Sequence, residues 1–248
     1  MDSFTARGVI LHSREYKEKD RLVSFLTSDR GLITVLAKGS AKLGSRNAYV
    51  SVPFMVCDFV ITSSHGFYYL KDGSIVENNS SIMGNLEALT VASHFADCLN
   101  DASLQSDNSR EAYELAVYAF YCLAQDTAHH RLICAAFNWR LLTILGFTVN
   151  YGVAPEDRSQ YCVSMSDGRI TRADGLGKAA ASSPVLNGVS LRLLDYFASC
   201  PLNRLFVVKT SDRVTGEVFG FSVQYLSLHF DKEYTVLSVL NDIGGVND

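Results

Sequence analysis

At 248 residues, 48% hydrophobic and 19% charged, the chain can bury one large or two modest cores, which excludes a disordered protein. No uninterrupted apolar run approaches the roughly 18 residues that span a bilayer, and "MDSFTARGV" lacks the basic head and apolar run of a secretory signal, so a cytoplasmic protein is expected. The net charge of −4 argues against a polyanion binder only as an average, because residues 1–50 hold nine Lys/Arg against five Asp/Glu and residues 81–152 hold three against seven.

In chain order, "ARGVILHS", "RLVSFLTS" and "LITVLAKG" are short runs rich in Val, Ile, Leu and Thr, with turn residues Asp29-Arg30-Gly31 between the second and third. After a basic loop come "PFMVCDFVIT", a hairpin turn at Ser63-Ser64-His65-Gly66, and "FYYLKDGSIV", in which Asp72-Gly73 reads as a further turn. About five short strands with tight turns predict a small closed or partly closed barrel, such as an oligonucleotide-binding (OB) fold.

From Asn78 the period changes. "SSIMGNLEALTVASHFADCLNDA", "SREAYELAVYAFYCLAQ" and "HRLICAAFNWRLLTILGF" repeat apolar residues every three or four positions, as packed helices do. Asn108 with Glu111 reads as a capping box at the start of the second helix, and the third, apolar nearly all round, is expected at the centre of a bundle. Residues 150–186 read as a long irregular insert, after which helical patterning resumes at "SLRLLDYFASC" and "VTGEVFGFSVQYLSLHF". The expected architecture is α+β and multidomain: an N-terminal OB-fold β-barrel over residues 1–79, then a helical-bundle domain over 80–248.

The candidate chemistry centres on "KGSAKLGSRN", residues 38–47. Gly39 and Gly44 have the spacing of a P-loop, but Ser45 and Arg46 stand where Lys and then Ser or Thr are needed to reach phosphate and magnesium, so that reading fails. Lys38, Lys42 and Arg46 instead recur every four residues in a basic loop. "SREYKEKDR" adds Arg14, Lys17, Lys19 and Arg21, with Tyr16 among them as a base-stacking platform. Cations plus an aromatic ring on a small barrel are the ingredients of single-strand nucleic-acid binding; a solvated loop is the plain alternative, since Glu15, Glu18 and Asp20 interleave with the second cluster.

His94 with Cys98 and His130 with Cys134 stand at i, i+4, a spacing that could present zinc ligands, but both pairs fall in apolar helical runs where cysteine is ordinary core material. No serine sits in a G-x-S-x-G turn. The six cysteines (57, 98, 122, 134, 162 and 200) are scattered and read as reduced thiols; Cys122 and Cys134 are expected to be buried, and Cys162 to be the exposed one. A thiol hydrolase using Cys162 would need a histidine beside it, and neither helical pair suits that role.

"ARGVILHSREYKEKDRLVSFLTSDRGLITVLAKGSAKLGSRN…PFMVCDFVI" resembles the N-terminal domain of the RecO family of recombination mediators and DNA-repair proteins. The shared elements are G-[IV]-[IV]-L before a basic-aromatic stretch, D-R-L-V, a T-x-x-x-G turn, A-K-G with basic residues after it, and a P-F strand start. "AAFNWRLLTILGF" is similar to the family helix that ends R-L-L-x-x-L-G-[YF]. The resemblance covers about 150 residues. It implies an OB fold followed by helices, no enzymatic turnover, binding of single- and double-stranded DNA, annealing of complementary strands, and help with RecR in loading the recombinase RecA. The acidic tail of single-strand-binding protein is a further implied partner, and no membrane is involved. Arg14, Arg21, Lys38, Lys42 and Arg46 fall in the family's basic segments; Lys17 and Lys19 are an extension by charge. An adaptor to RecR or single-strand-binding protein with weak DNA affinity is the alternative. Many members carry a four-cysteine zinc site after the L-G-[YF] helix. Here Cys162 stands alone in that region, one thiolate cannot hold a structural zinc, and no metal or other cofactor is expected.

Overall fold

The computed structural model describes residues 2–42, 44–45, 47–102, 106–125, 129–147, 149, 155–157, 159–173 and 184–244. Five strands, β1 (Asp2–Tyr16), β2 (Asp20–Thr27), β3 (Gly31–Ala37), β4 (Val56–Ser64) and β5 (Phe67–Glu77), close into a barrel in the order β1-β2-β3-β5-β4. The long first strand makes closure possible: Gly8–Tyr16 pair antiparallel with β2 and Asp2–Val9 with β4. The remaining seam is a parallel pairing of Leu36 on β3 with Tyr69 on β5.

Alternation decides which side chains fill the barrel. Val23 and Phe25 of β2, Ile33, Val35 and Ala37 of β3, and Cys57, Phe59 and Ile61 of β4 point inward, and the Phe25 and Phe59 rings stack at 4.2 Å. The SSHG turn forms as expected, with His65 and Gly66 both at positive φ between β4 and β5. Asp72-Gly73 does not form a turn. It lies inside β5, where Gly73 faces Phe59 and a Cβ would stand 3.1 Å from the Asp58 carbonyl and 3.3 Å from Val50. Val50, on a short 3-10 turn (Tyr49–Ser51), seals the barrel there, so the glycine marks a close approach rather than a reversal.

The chain divides into two compact units, Met1–Thr127 and Ala128–Asp248. The strands end at Glu77, next to the expected boundary at 79, and the first unit also takes in two helices, α1 (Leu86–Asp101) and α2 (Ser106–Gln125). Asn85 caps α1 by accepting from the Ala88 amide at 3.0 Å. Asn108 lies inside α2, which begins at Ser106, so the expected capping box does not mark the start of that helix. Phe54 ties these parts together from a left-handed backbone (φ 70): its amide donates to Ile10, its carbonyl accepts from Asn79, and its ring lies 5.1 Å from Phe120 of α2.

In the second unit α3 (His130–Ile144) is the buried central helix, packed chiefly on α6 (Asp212–Phe230) through Trp139 against Phe221 and Tyr225. The "LGF" after it is a Schellman stop: Gly146, at φ 84, donates to Thr143 and Phe147 donates to Leu142, satisfying two orphan carbonyls. Phe147 then stacks on His229 at 4.5 Å. The remaining helices are α4 (Gly188–Ser199), α5 (Leu202–Leu205) and α7 (Val236–Gly244).

The expected irregular insert contains a small antiparallel sheet, β6 (Gln160–Val163), β7 (Ile170–Arg172) and β8 (Val185–Asn187), in the order β7-β6-β8. Cys162 is on its central strand, paired with Thr171 and Val185 and only 3% exposed, so the expectation that it is the accessible thiol is corrected. Cys134 is buried as expected, whereas Cys122 is half-buried. Burial, and secondarily the nearby Asp58 carboxylate, push the Cys57 thiol up to about 12. Native alkylation with iodoacetamide is therefore expected to reach Cys122 first and to spare Cys57 and Cys162; labelling of Cys162 ahead of Cys122 would contradict this burial.

Candidate nucleic-acid interface

The two basic clusters, some twenty residues apart in sequence, meet at one end of the barrel. The β1–β2 turn carries Lys17 and Lys19, and the segment leaving β3 carries Lys38 and Lys42. Two hydrogen bonds lock them together: the Ala41 amide donates to the Lys19 carbonyl at 3.1 Å, and the Gly39 amide donates to Asp20 Oδ1 at 2.8 Å. Asp20 thus serves as the clasp between the turns, which explains one of the acids interleaved with the cations. The described residues of 38–48 lie mostly in turns, and among them no α-helix opens behind Gly44, in keeping with the failed P-loop reading.

Each expected residue except Arg46 has a definite place. Arg14 and Tyr16 lie on the outward face of β1, opposite Leu22 and Asp20. Lys17 turns the chain in a left-handed conformation (φ 58) and holds its ammonium 5.3 Å from the Tyr16 ring. Lys19, Lys38 and Lys42 are exposed. Arg21 differs from the rest. It shares the inward parity of Val23 and Phe25, is half-buried, and lies 3.4 Å from Ser13 Oγ, so it plugs the barrel mouth rather than the outer surface. Arg46 lies outside the described residues.

Charge at this end is not cancelled by pairing. Among the described residues, Arg14, Lys17, Lys19, Lys38 and Lys42 form no ion pair, whereas two other arginines of the barrel are engaged. Arg7 grips Asp58 through two bonds of 2.7 and 2.9 Å, and that hydrogen-bonded partner holds the Asp58 carboxyl below its ordinary range. Arg30 contacts Asp29 at 3.5 Å and lies over the Phe4 ring. The cationic excess of the front segment is thus left open to solvent at the two joined turns.

The structure adds aromatic groups that the charge pattern missed. Lys38 Nζ sits 4.9 Å from the centre of the Tyr69 ring, bringing β5 into the site. Phe67, 67% exposed, shares the outward parity of Tyr69, and Lys71 follows two residues on, while Leu70 points into the core. The signal was present in "FYYLK": on a two-residue period, Phe67, Tyr69 and Lys71 fall on one face. The β1–β2 and β4–β5 loops flank the surface, and those loops carry ligands in OB folds generally. The other end of β2 is occupied, since Ser109 of α2 donates to the Ser28 carbonyl at 3.3 Å, about 26 Å along the chain from Asp20.

A closed OB-type barrel, cationic and aromatic at one end and followed by helices, defines the class: a two-part OB-fold protein presenting a surface suited to a polyanion. Residues 1–79 match the family model described as "Recombination protein O N terminal". Over nearly the whole chain the protein is similar to the DNA repair protein RecO of Clostridium acetobutylicum (23% identity, covering 98% of this chain and 99% of the relative) and to that of Acetivibrio thermocellus (22%, covering 98% of each). The RecO of Desulfosudis oleivorans is 28% identical across 59% of this chain and 57% of its own. The chain is thus similar to RecO proteins over nearly its whole length, and its first 79 residues match the N-terminal domain of that family.

Among the described residues no helix is long and apolar enough to cross a membrane, and no group of three or more His, Cys, Asp or Glu gathers as metal ligands. His94 and Cys98 are buried against each other, the sulfur 3.6 Å from the ring nitrogens, as core neighbours.

Proposed function

We propose that the protein acts in DNA repair and recombination by binding single- and double-stranded DNA on the joined basic turns and bringing complementary strands together. The supporting observation is the clasp of Lys19–Asp20 to Gly39–Ala41, which joins the turn carrying Lys17 and Lys19 to the segment carrying Lys38 and Lys42, with Tyr16 beside Lys17, Tyr69 beside Lys38 and Arg14 next along β1. Cations neutralise phosphates whatever the sequence, and ring faces accept any base. Two strands screened on one surface repel each other less, so complementary segments meet and zip without any bond being made or broken in the protein. Resemblance to RecO adds RecR and the tail of single-strand-binding protein as partners in loading the recombinase. The zinc site of many RecO proteins has no counterpart in this reading, since Cys162 stands alone where four cysteines are needed, and it is left as packing on β6.

Affinity for a single-stranded oligonucleotide, followed by fluorescence anisotropy across a salt series, tests the reading. Each neutralised phosphate contributes about 0.7 to the slope of log affinity against log salt, so five cations predict a slope between about −3 and −4. A flat response would leave the protein an adaptor with little DNA affinity of its own.

A further inference from the structure

Between the outer face of β1–β2 and helix α1 lies a groove of about 620 Å³, within the range of small-ligand clefts and wholly inside the first unit. Leu22 and Phe54 line its barrel side. Ser93, Asp97 and Asn100 line its helix side, and their spacing of four and three residues puts them on one stripe of α1. Arg14, an unpaired cation of the basic end, also lines it, and Tyr16 follows two residues later on the same outward face of β1. The groove therefore continues the cationic track instead of standing apart from it.

We infer that this groove takes one unstacked base of a bound DNA strand, with the adjoining phosphate on Arg14, and that it favours a base bearing an exocyclic amine over thymine. Its chemistry fits that occupant. The Asp97 carboxylate, whose Oδ1 lies 3.7 Å from His12 Nε2 on the barrel wall of the groove, keeps Oδ2 to accept a hydrogen bond from an amino group, and the Asn100 amide both donates and accepts, which suits a ring edge such as that of cytosine. Thymine would turn its O4 carbonyl toward the carboxylate and leave both acceptors unmet. Apolar Leu22 and Phe54 suit the face of a base, and Arg14 is two strand steps, about 7 Å, from the stacking ring of Tyr16 on the same face of β1. The wall comes from a helix outside the barrel, so this selectivity is separate from the sequence-tolerant stacking on β5.

The inference rests on the DNA-binding reading above, and its test separates the two. Labelled oligo(dC) and oligo(dT) of equal length are titrated with the full chain at low salt. The expected preference for oligo(dC) is about tenfold. Ser93→Trp, which fills the groove from an exposed position, and the pair Asp97→Asn with Asn100→Ala should each abolish the preference, leaving the salt slope and the circular dichroism spectrum unchanged. Equal affinity of the wild-type chain for the two strands overturns the groove alone, as does a preference that survives both variants. Failure to bind either strand overturns the DNA reading and the groove with it.

Discussion

Reversing Lys38 and Lys42 to Glu is expected to lower single-strand affinity about a hundredfold at low salt. Removing two phosphate contacts should also flatten the salt slope by about 1.4, since each contributes about 0.7. Both lysines are exposed and outside any ion pair among the described residues, so the substitution leaves the barrel core intact and its thermal midpoint close to that of the parent. Repulsion then acts on the strand itself: the new carboxylates stand beside Lys19 and Asp20 across the clasp and oppose phosphate where it would sit. Arg7→Gln provides the contrast. That guanidinium is already committed to Asp58 on the β1–β4 face, and its loss should change affinity less than twofold. Equal losses in both variants would mean that overall charge, not the joined turns, governs binding. No loss in either would favour the adaptor role.

The strands of the barrel were readable because each carries a local signal. Runs rich in Val, Ile, Leu and Thr, broken by turn residues, marked about five strands; which residues fill the barrel, from Val23 and Phe25 to Cys57 and Phe59, is seen in the paired strands. Lys38, Lys42, Lys17 and Lys19 were legible as charges, but not as neighbours. Their union depends on the Ala41–Lys19 and Gly39–Asp20 bonds between turns about twenty residues apart, and no periodicity reports a nonlocal bond. Arg21 was grouped with the surface cations, although its parity with Val23 already pointed it toward the barrel mouth.

Other misreadings have the same origin. Asp72-Gly73 has the letters of a turn, yet the glycine is there because Val50 packs against the sheet, a tertiary demand invisible locally. The sheet around Cys162 was read as irregular because strands of three and four residues carry too few positions to show alternation. A cysteine in a glycine-rich stretch then looked exposed, when pairing on both sides had buried it.

Replacing Arg140 by Met is expected to destabilise the 128–248 unit by about 2–4 kcal/mol. Arg140 is the arginine of "RLLTILGF", half-buried on α3, and its guanidinium terminates α4. Nε donates to the Phe197 carbonyl at 2.7 Å and Nη2 donates to the Cys200 carbonyl. These are last-turn acceptors with no continuing helix to meet them, since Pro201 follows and offers no N–H. Methionine fills similar space but leaves both carbonyls unmet and removes the charge that complements the helix C-terminus. For a domain of this size the loss corresponds to a fall in melting midpoint of roughly 6–15 °C. Lysine should restore less than half, because a single ammonium cannot fork to two carbonyls as a planar guanidinium does. Differential scanning calorimetry of the three proteins checks the order Arg, Lys, Met. A lysine variant as stable as the parent would show that charge alone matters here, and an unchanged methionine variant would show that α4 is held by its apolar face, Leu191, Leu194 and Phe197, without help from α3's guanidinium.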